Sequence, residues 1–264
     1  MASDRGYEWN ATRGATGSRF YLIPPAARAP SRLAEVGAET TVCKFVTPRH
    51  APARFAEYLV ELEPGGRTQW PVAGGFEHFV SVLDGTVKTL VDGLPQTMTP
   101  GTFIYLPDDQ DLVLDNDSDA LCRVIWIKRR YQPLPGFGRP PAVFDDSATF
   151  AEEEWPCGLW RRELLPANDP RRDFTMSIMR FEANGALGVV EMHEEERGLY
   201  MTAGGGTYLL DATELSVEHE DFIYMAPYCP QGFHAGPEGA EYLLYKDVMR
   251  DGFLAASDLD HQER

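Results

Sequence analysis

The segment from Val190 to Arg197 reads VEMHEEER and concentrates chemistry-bearing side chains in eight residues. In an extended strand alternate side chains share a face, so Glu191, His193, Glu195 and Arg197 point the same way. A carboxylate and an imidazole on one face can hold a divalent ion or move a proton. Taken singly, His193 is an ordinary polar residue and the run Glu194 to Glu196 a solvated face, with Glu195 the exception that could join the pair or meet Arg197. Downstream, Tyr242 and Lys246 are four apart on a strand and share a face, and Lys246 taken alone is an exposed charge. His219 and His234 are surface histidines. Gly204-Gly205-Gly206 is not a phosphate loop, because no helix follows it.

Side chains this far apart in sequence need a rigid frame, and the chain supplies one twice. Phe55 to Gly66 (FAEYLVELEPGG) and Phe174 to Gly185 (FTMSIMRFEANG) are alike at an offset of 119. Gly85 then falls on Gly204, Asp92 on Asp211, and FIYLP at Phe103 on FIYMA at Phe222. The register runs to the last element without a gap, which indicates an internal duplication. Each copy is rich in strands: Tyr58, Val60 and Leu62 alternate with Leu59, Glu61 and Glu63, the pattern of a half-buried strand. Pro64-Gly65-Gly66, Asp84-Gly85 and Asp92-Gly93 are turns between short strands. Helical periodicity is weak. The fold class is all-β, two tandem barrels. The expected division is an N-terminal arm at 1–50 with an extra strand near Thr41 to Val46, a first barrel at 51–135, a linker at 136–169, a second barrel at 170–255 and a tail at 256–264.

The 264 residues carry 24 Lys and Arg against 41 Asp and Glu, a net charge of −17. Such a chain is repelled by phosphate backbones and anionic membranes, so neither nucleic acid nor a membrane is an expected partner. Cys43, Cys122, Cys157 and Cys229 are scattered and read as reduced thiols. The polar start, Met1 to Phe20, lacks the apolar core of a secretory signal, so the cytoplasm is the default location.

The turn spacing resembles the cupin superfamily, whose barrels are double-stranded β-helices of jelly-roll form. Gly101 to Asn116 fits the second cupin motif, with Leu112 where the ligand histidine belongs. The paired histidines of the first motif fall on Val72 and Gly74, and only His78 stands at a ligand position, so the first barrel reads as metal-free. Adding 119 places Glu191, His193, Arg197 and Gln231 at the four positions in the second barrel. A bicupin with this set is similar to the (S)-ureidoglycine aminohydrolase family of allantoin breakdown. The likeness runs from about Ala53 to Arg250 and includes KRRYQPLPG, DFTMSIMRF, VEMHEEERGLYM, YMAPYCPQ and YLLYKD. The resemblance implies a manganese or other divalent ion on Glu191, His193 and Gln231, with Glu195 a further candidate ligand. It implies substrate contacts from Glu191, Arg197, Gln231, Tyr242 and Lys246, with Glu191 and Lys246 catalytic. Arg197 departs from the family, which has a second metal-binding histidine there; a guanidinium has no lone pair to donate.

The expected function is therefore hydrolysis of a C–N bond, releasing ammonia from a small ureido or amino carboxylate in a homo-oligomeric protein. The alternative is a diverged, metal-free bicupin that binds or transforms a small anionic metabolite, with Arg197 in place of a metal-binding histidine. An iron-dependent redox cupin fits least, because the site is poor in histidine.

Overall fold

The computed structural model describes residues 12–31, 36–37, 39–50, 52–70 and 75–248. The chain begins with β1 (Ala15–Thr16), β2 (Phe20–Ile23), β3 (Pro30–Ser31) and β4 (Thr40–Val46). It continues with β5 (Phe55–Leu62), β6 (Arg67–Trp70), β7 (Phe76–Asp84), β8 (Val87–Val91) and β9 (Leu94–Met98). The first half ends with β10 (Thr102–Leu106), β11 (Leu112–Asp115), β12 (Cys122–Arg130) and β13 (Val143–Asp146). The second half holds β14 (Glu153–Trp155), β15 (Leu159–Leu165), β16 (Phe174–Phe181), β17 (Arg197–Leu210), β18 (Thr213–Glu218), β19 (Phe222–Met225) and β20 (Gln231–Asp247). The described residues form no α-helix, only short 3₁₀ turns.

In the first half, a sheet of order β13-β10-β7-β12-β5-β4-β3 faces a smaller one of order β6-β11-β8-β9. Val60, Val80, Val82, Leu112, Leu114 and Trp126 fill the space between them. The second half closes differently. β17 and β20 are 14 and 17 residues long and pair with each other across two bulges, at Met201/Ala203 and Gly204/Gly206. Bulges bend a strand, so each strand serves both walls of the barrel. The three glycines are needed at that corner: a Cβ on Gly204, Gly205 or Gly206 would strike the backbone oxygen of Gly239, Val217 or His234 respectively.

β5 is buried on both faces, not one. Even-numbered Tyr58, Val60 and Leu62 face their own barrel, whereas Phe55 and Leu59 join a shared core with Phe174, Met176, Tyr224 and Tyr245 of the second half. The two barrels are thus fused through a hydrophobic seam, which also takes in Glu57. The N-terminal arm adds to both: β4 pairs with β5, while β2 pairs with β19. The stretch 136–169 carries β13, which pairs with β10 of the first half, and β14 and β15, which extend the second sheet.

The repeat offset is not constant. Phe79 lies opposite Tyr105 and Gly198 opposite Tyr224, both members 119 apart. On the last strand, Glu57 lies opposite Ile127 and Met176 opposite Tyr245, so the separation there has fallen to 118. One residue has been lost within β20, between Phe233 and Tyr242, and the unbroken register expected from sequence fails at that point. Consequently Lys128, opposite His78, is the counterpart of Lys246, opposite Arg197.

Candidate active site in the second barrel

Residues 191–196 are an extended segment leading into β17, tied down by a single bridge between Glu191 and Gln231. Its two backbone hydrogen bonds are 2.8 and 2.9 Å, and Tyr228 N–H donates to the His193 carbonyl at 2.6 Å. Strand-like alternation therefore survives without a full ladder: Met192 and Glu194 are exposed, Glu191 and His193 half-buried, Glu195 buried. It breaks at Glu196, which is also buried. Glu196 accepts from the Arg54 backbone N–H at 2.8 Å and from Tyr224 at 3.2 Å, so it belongs to the seam between barrels rather than to a solvated face.

The acidic and basic groups interlock. His193 Nε2 is 2.9 Å from Glu191 Oε2, and its Nδ1 is 3.8 Å from Glu195 Oε2. Lys246 Nζ is 2.8 Å from Glu195 Oε1. Arg197 enters on β17 directly opposite Lys246, so both cations point to one face of the sheet. Gln231, at the start of β20, is 2 % exposed and accepts from the Tyr208 hydroxyl at 3.2 Å. Tyr208 is in turn hydrogen-bonded to Tyr242, and both phenols are pushed up, above all by burial.

These contacts fix the charge states. The hydrogen bond from His193 holds the Glu191 carboxyl below its ordinary value, with help from the fields of Arg197 and Lys246. Burial works to raise Glu195, but the Lys246 hydrogen bond and the two cations outweigh it and leave that carboxyl lowered as well. Two buried polar atoms in the cluster make no hydrogen bond: Glu195 Oε2, an acceptor, and Arg197 Nε, a donor.

All seven candidates from sequence, Glu191, His193, Glu195, Arg197, Gln231, Tyr242 and Lys246, lie in this one region. Tyr208 was missed. Its signal was the alternation in β17, where Tyr208 and Leu210 share the inner face with Gln231 and Phe233 across the ladder.

In the first barrel, Val72 and Gly74 lie outside the described residues. The described ladder places Trp70 opposite Leu112, as Glu191 lies opposite Gln231. The Lys128 ammonium stands 3.3 Å from the centre of the Trp70 indole, with Tyr58, Phe76 and Trp126 within 5.5 Å. His78 Nδ1 accepts from the Trp126 indole at 3.1 Å and burial lowers its pKa to about 3, so it is neutral. This interior is an aromatic cage around a lysine, not the plainly apolar space that Leu112 alone suggests. A cavity of about 870 Å³ opens at this cage, lined by Tyr58, Trp70, Phe76 and Lys128 together with Lys44, Arg49 and Arg54.

Residues 58–128 match the cupin domain family. An Oryza sativa protein named probable (S)-ureidoglycine aminohydrolase is 32% identical over 205 residues, 76% of this chain; the chain spans 65% of that relative's length. The (S)-ureidoglycine aminohydrolase of Escherichia coli is 29% identical over 75% of this chain and 77% of its own. Among solved structures, a glyoxylate-induced protein from Pseudomonas aeruginosa superposes with a TM-score of 0.84 at 27% identity, covering 93% of this chain and 94% of that one. Salicylate 1,2-dioxygenase of Pseudaminobacter salicylatoxidans, at 13% identity and a TM-score of 0.63, shares the fold alone, covering 86% of this chain and 79% of its own. With two fused all-β barrels and a polar cluster in the second, this chain has the bicupin fold and is similar to the (S)-ureidoglycine aminohydrolases.

Proposed function

We propose that the second barrel is the active site of an aminohydrolase that releases ammonia from (S)-ureidoglycine or a closely similar ureido amino acid. The observation that carries this reading is the convergence of Glu191, His193, Glu195 and Lys246, linked by contacts of 2.8 to 3.8 Å, in a chain whose relatives bear that name.

The chemistry follows from a carbon that bears an amino, a ureido and a carboxylate group. The protonated amino group departs as ammonia and takes the bonding pair. The ureido nitrogen's lone pair closes a C=N bond in its place. Water then adds to that carbon and gives up a proton, leaving a hydroxyl where the amine stood. Glu191, kept ionised by His193, is the base placed to take that proton, and His193 can pass it on. Lys246 holds the substrate carboxylate as a charge-assisted donor. Tyr242 and Tyr208 set the position of the Gln231 amide, which orients the ureido group.

In related sites a divalent ion would act as a Lewis acid. The residues present do not fit one. Arg197 occupies the fourth ligand position, and a fixed cation 4 Å from a dication costs roughly 8 kcal/mol at an effective dielectric of 20. Glu191 and Glu195 are already offset by Arg197 and Lys246, so an added dication would leave the cluster with a net charge near +2. No set of three His, Cys, Asp or Glu side chains converges as a cation site among the described residues. No step above is routed through a metal.

Assembly into homo-oligomers in the cytoplasm completes the reading. Val189, Val190, Met192 and Tyr228 expose apolar surface around the site, which suits burial against another copy. The deciding measurement is ammonia release from (S)-ureidoglycine above the enzyme-free rate, read with glutamate dehydrogenase. Lys246→Met raises KM by about 30-fold, the scale of losing a charge-assisted contact in a partly buried site. A wild-type rate equal to the enzyme-free rate refutes the assignment.

A further inference from the structure

Arg197 is the most incongruous group in the cluster. It is 7 % exposed, its Nε is without a hydrogen-bond partner, and it takes part in none of the ion pairs that join Glu191, His193, Glu195 and Lys246. A buried N–H without an acceptor is costly, and a ligand that supplies an acceptor would complete it. Its field is felt at Glu191, Glu195, Tyr208 and Tyr242, so it lies against the same space as the other candidates. Across that space Glu195 Oε2 is a buried acceptor without a donor. One unmet donor and one unmet acceptor describe a ligand that carries both an anion and an N–H.

We propose that Arg197 is a built-in cation that replaces the metal ion. It binds the carboxylate of a ureido or amino acid directly, while Glu195 receives an N–H of the same molecule, and the site loads without any divalent ion. This rests on the aminohydrolase reading for the class of ligand, but not on turnover. The planar fork suits a carboxylate better than a lysine ammonium would. The adjacent Lys246 supplies a second positive charge on the same face.

The test is calorimetric binding of N-carbamoylglycine, a stable ureido acid, to protein freed of metal on a chelating resin and checked by mass spectrometry. The expected result is saturable binding with a Kd that changes less than about twofold on adding manganese, since the ligand's anion is already paired. The uncharged N-carbamoylglycinamide binds at least about tenfold more weakly. Arg197→Gln weakens N-carbamoylglycine by about 30-fold or more, and Arg197→Lys falls between the two.

The proposal is overturned if metal-free protein fails to bind and manganese restores binding, or if Arg197→Gln binds as wild type does. Ammonia release, measured in parallel, separates it from the function. Metal-free binding through Arg197 with no ammonia released refutes the aminohydrolase reading and leaves the anion site standing. Ammonia released only when manganese is added does the reverse.

Discussion

Glu57 lies in the seam between the barrels, 1 % exposed, with its Oε2 lacking any hydrogen-bond partner. Burial pushes its carboxyl up to about 8, so it is protonated in the folded protein over most of the neutral range. The unfolded chain releases that proton near pH 4.5 and the folded one near 8. Between those values the native state holds more protons, and stability falls as pH rises, by up to about 1.4 kcal/mol per unit. Integrated from pH 5.5 to 8, this amounts to about 3 kcal/mol. For a chain of this size that is roughly 6–12 °C in Tm. Burial also raises Glu77 to about 8 and Glu196 to about 7, so both add to the slope in the same direction. Glu57→Gln removes one titration and keeps the shape. A buried amide shifts Tm by a constant, so the readout is the slope: scanning calorimetry from pH 5.5 to 8 gives a shallower decline in the variant. Parallel curves for wild type and Glu57→Gln would refute the reasoning, because Glu57 would then be ionised in the fold or titrating as it does in the unfolded chain.

Gly198, next to Arg197, packs against Phe55 and Glu57 so closely that an added Cβ has no room; Gly198→Ala lowers stability by about 1–3 kcal/mol in denaturant melts and loses ammonia release with it. Lys128→Met places an apolar chain of similar length inside the aromatic cage and leaves the rate of ammonia release at the wild-type level, because the proposed site takes no residue from the first barrel; the stability change stays below about 1.5 kcal/mol in the same melts. Val190→Asp puts a charge into the exposed apolar patch beside the site, and light scattering of the eluting protein gives a smaller mass than wild type.

Much of this was legible in the sequence because duplication leaves a ruler. The offset of 119 carried ligand positions from a barrel with a readable cupin motif into one whose motif is eroded, and Glu191, His193, Arg197 and Gln231 do meet in space. The ruler says nothing about what lies outside each barrel. β5 looked half-buried because Glu61 and Glu63 are polar, yet the second barrel covers its outer face, and Glu57 and Glu196 are buried by the same seam. Nor does it register compensating changes. In the first copy Arg67 pairs with Asp115 and Trp70 with Leu112, whereas in the second Ala186 pairs with His234 and Glu191 with Gln231, which places two extra residues between the pairs. Letters in register at 119 are therefore not always partners in space.

The corrected pairing changes what the duplication means. The same four places on the frame are Trp70, His78, Leu112 and Lys128 in one copy, and Glu191, Arg197, Gln231 and Lys246 in the other. The lysine is common to both. In the first copy it is satisfied within the protein, its ammonium seated on the Trp70 indole, and a neutral His78 adds no charge against it. In the second copy a carboxylate stands in place of the indole, a guanidinium in place of the imidazole and an amide in place of the leucine; the lysine turns to Glu195, and a second cation is present whose Nε lacks an acceptor. In the first copy the aromatic rings around the lysine also line a cavity of about 870 Å³, and their packing stabilises the fold whether or not a ligand is present. In the second copy charged and polar groups stand in those places, and its two cations hold two neighbouring carboxylates ionised.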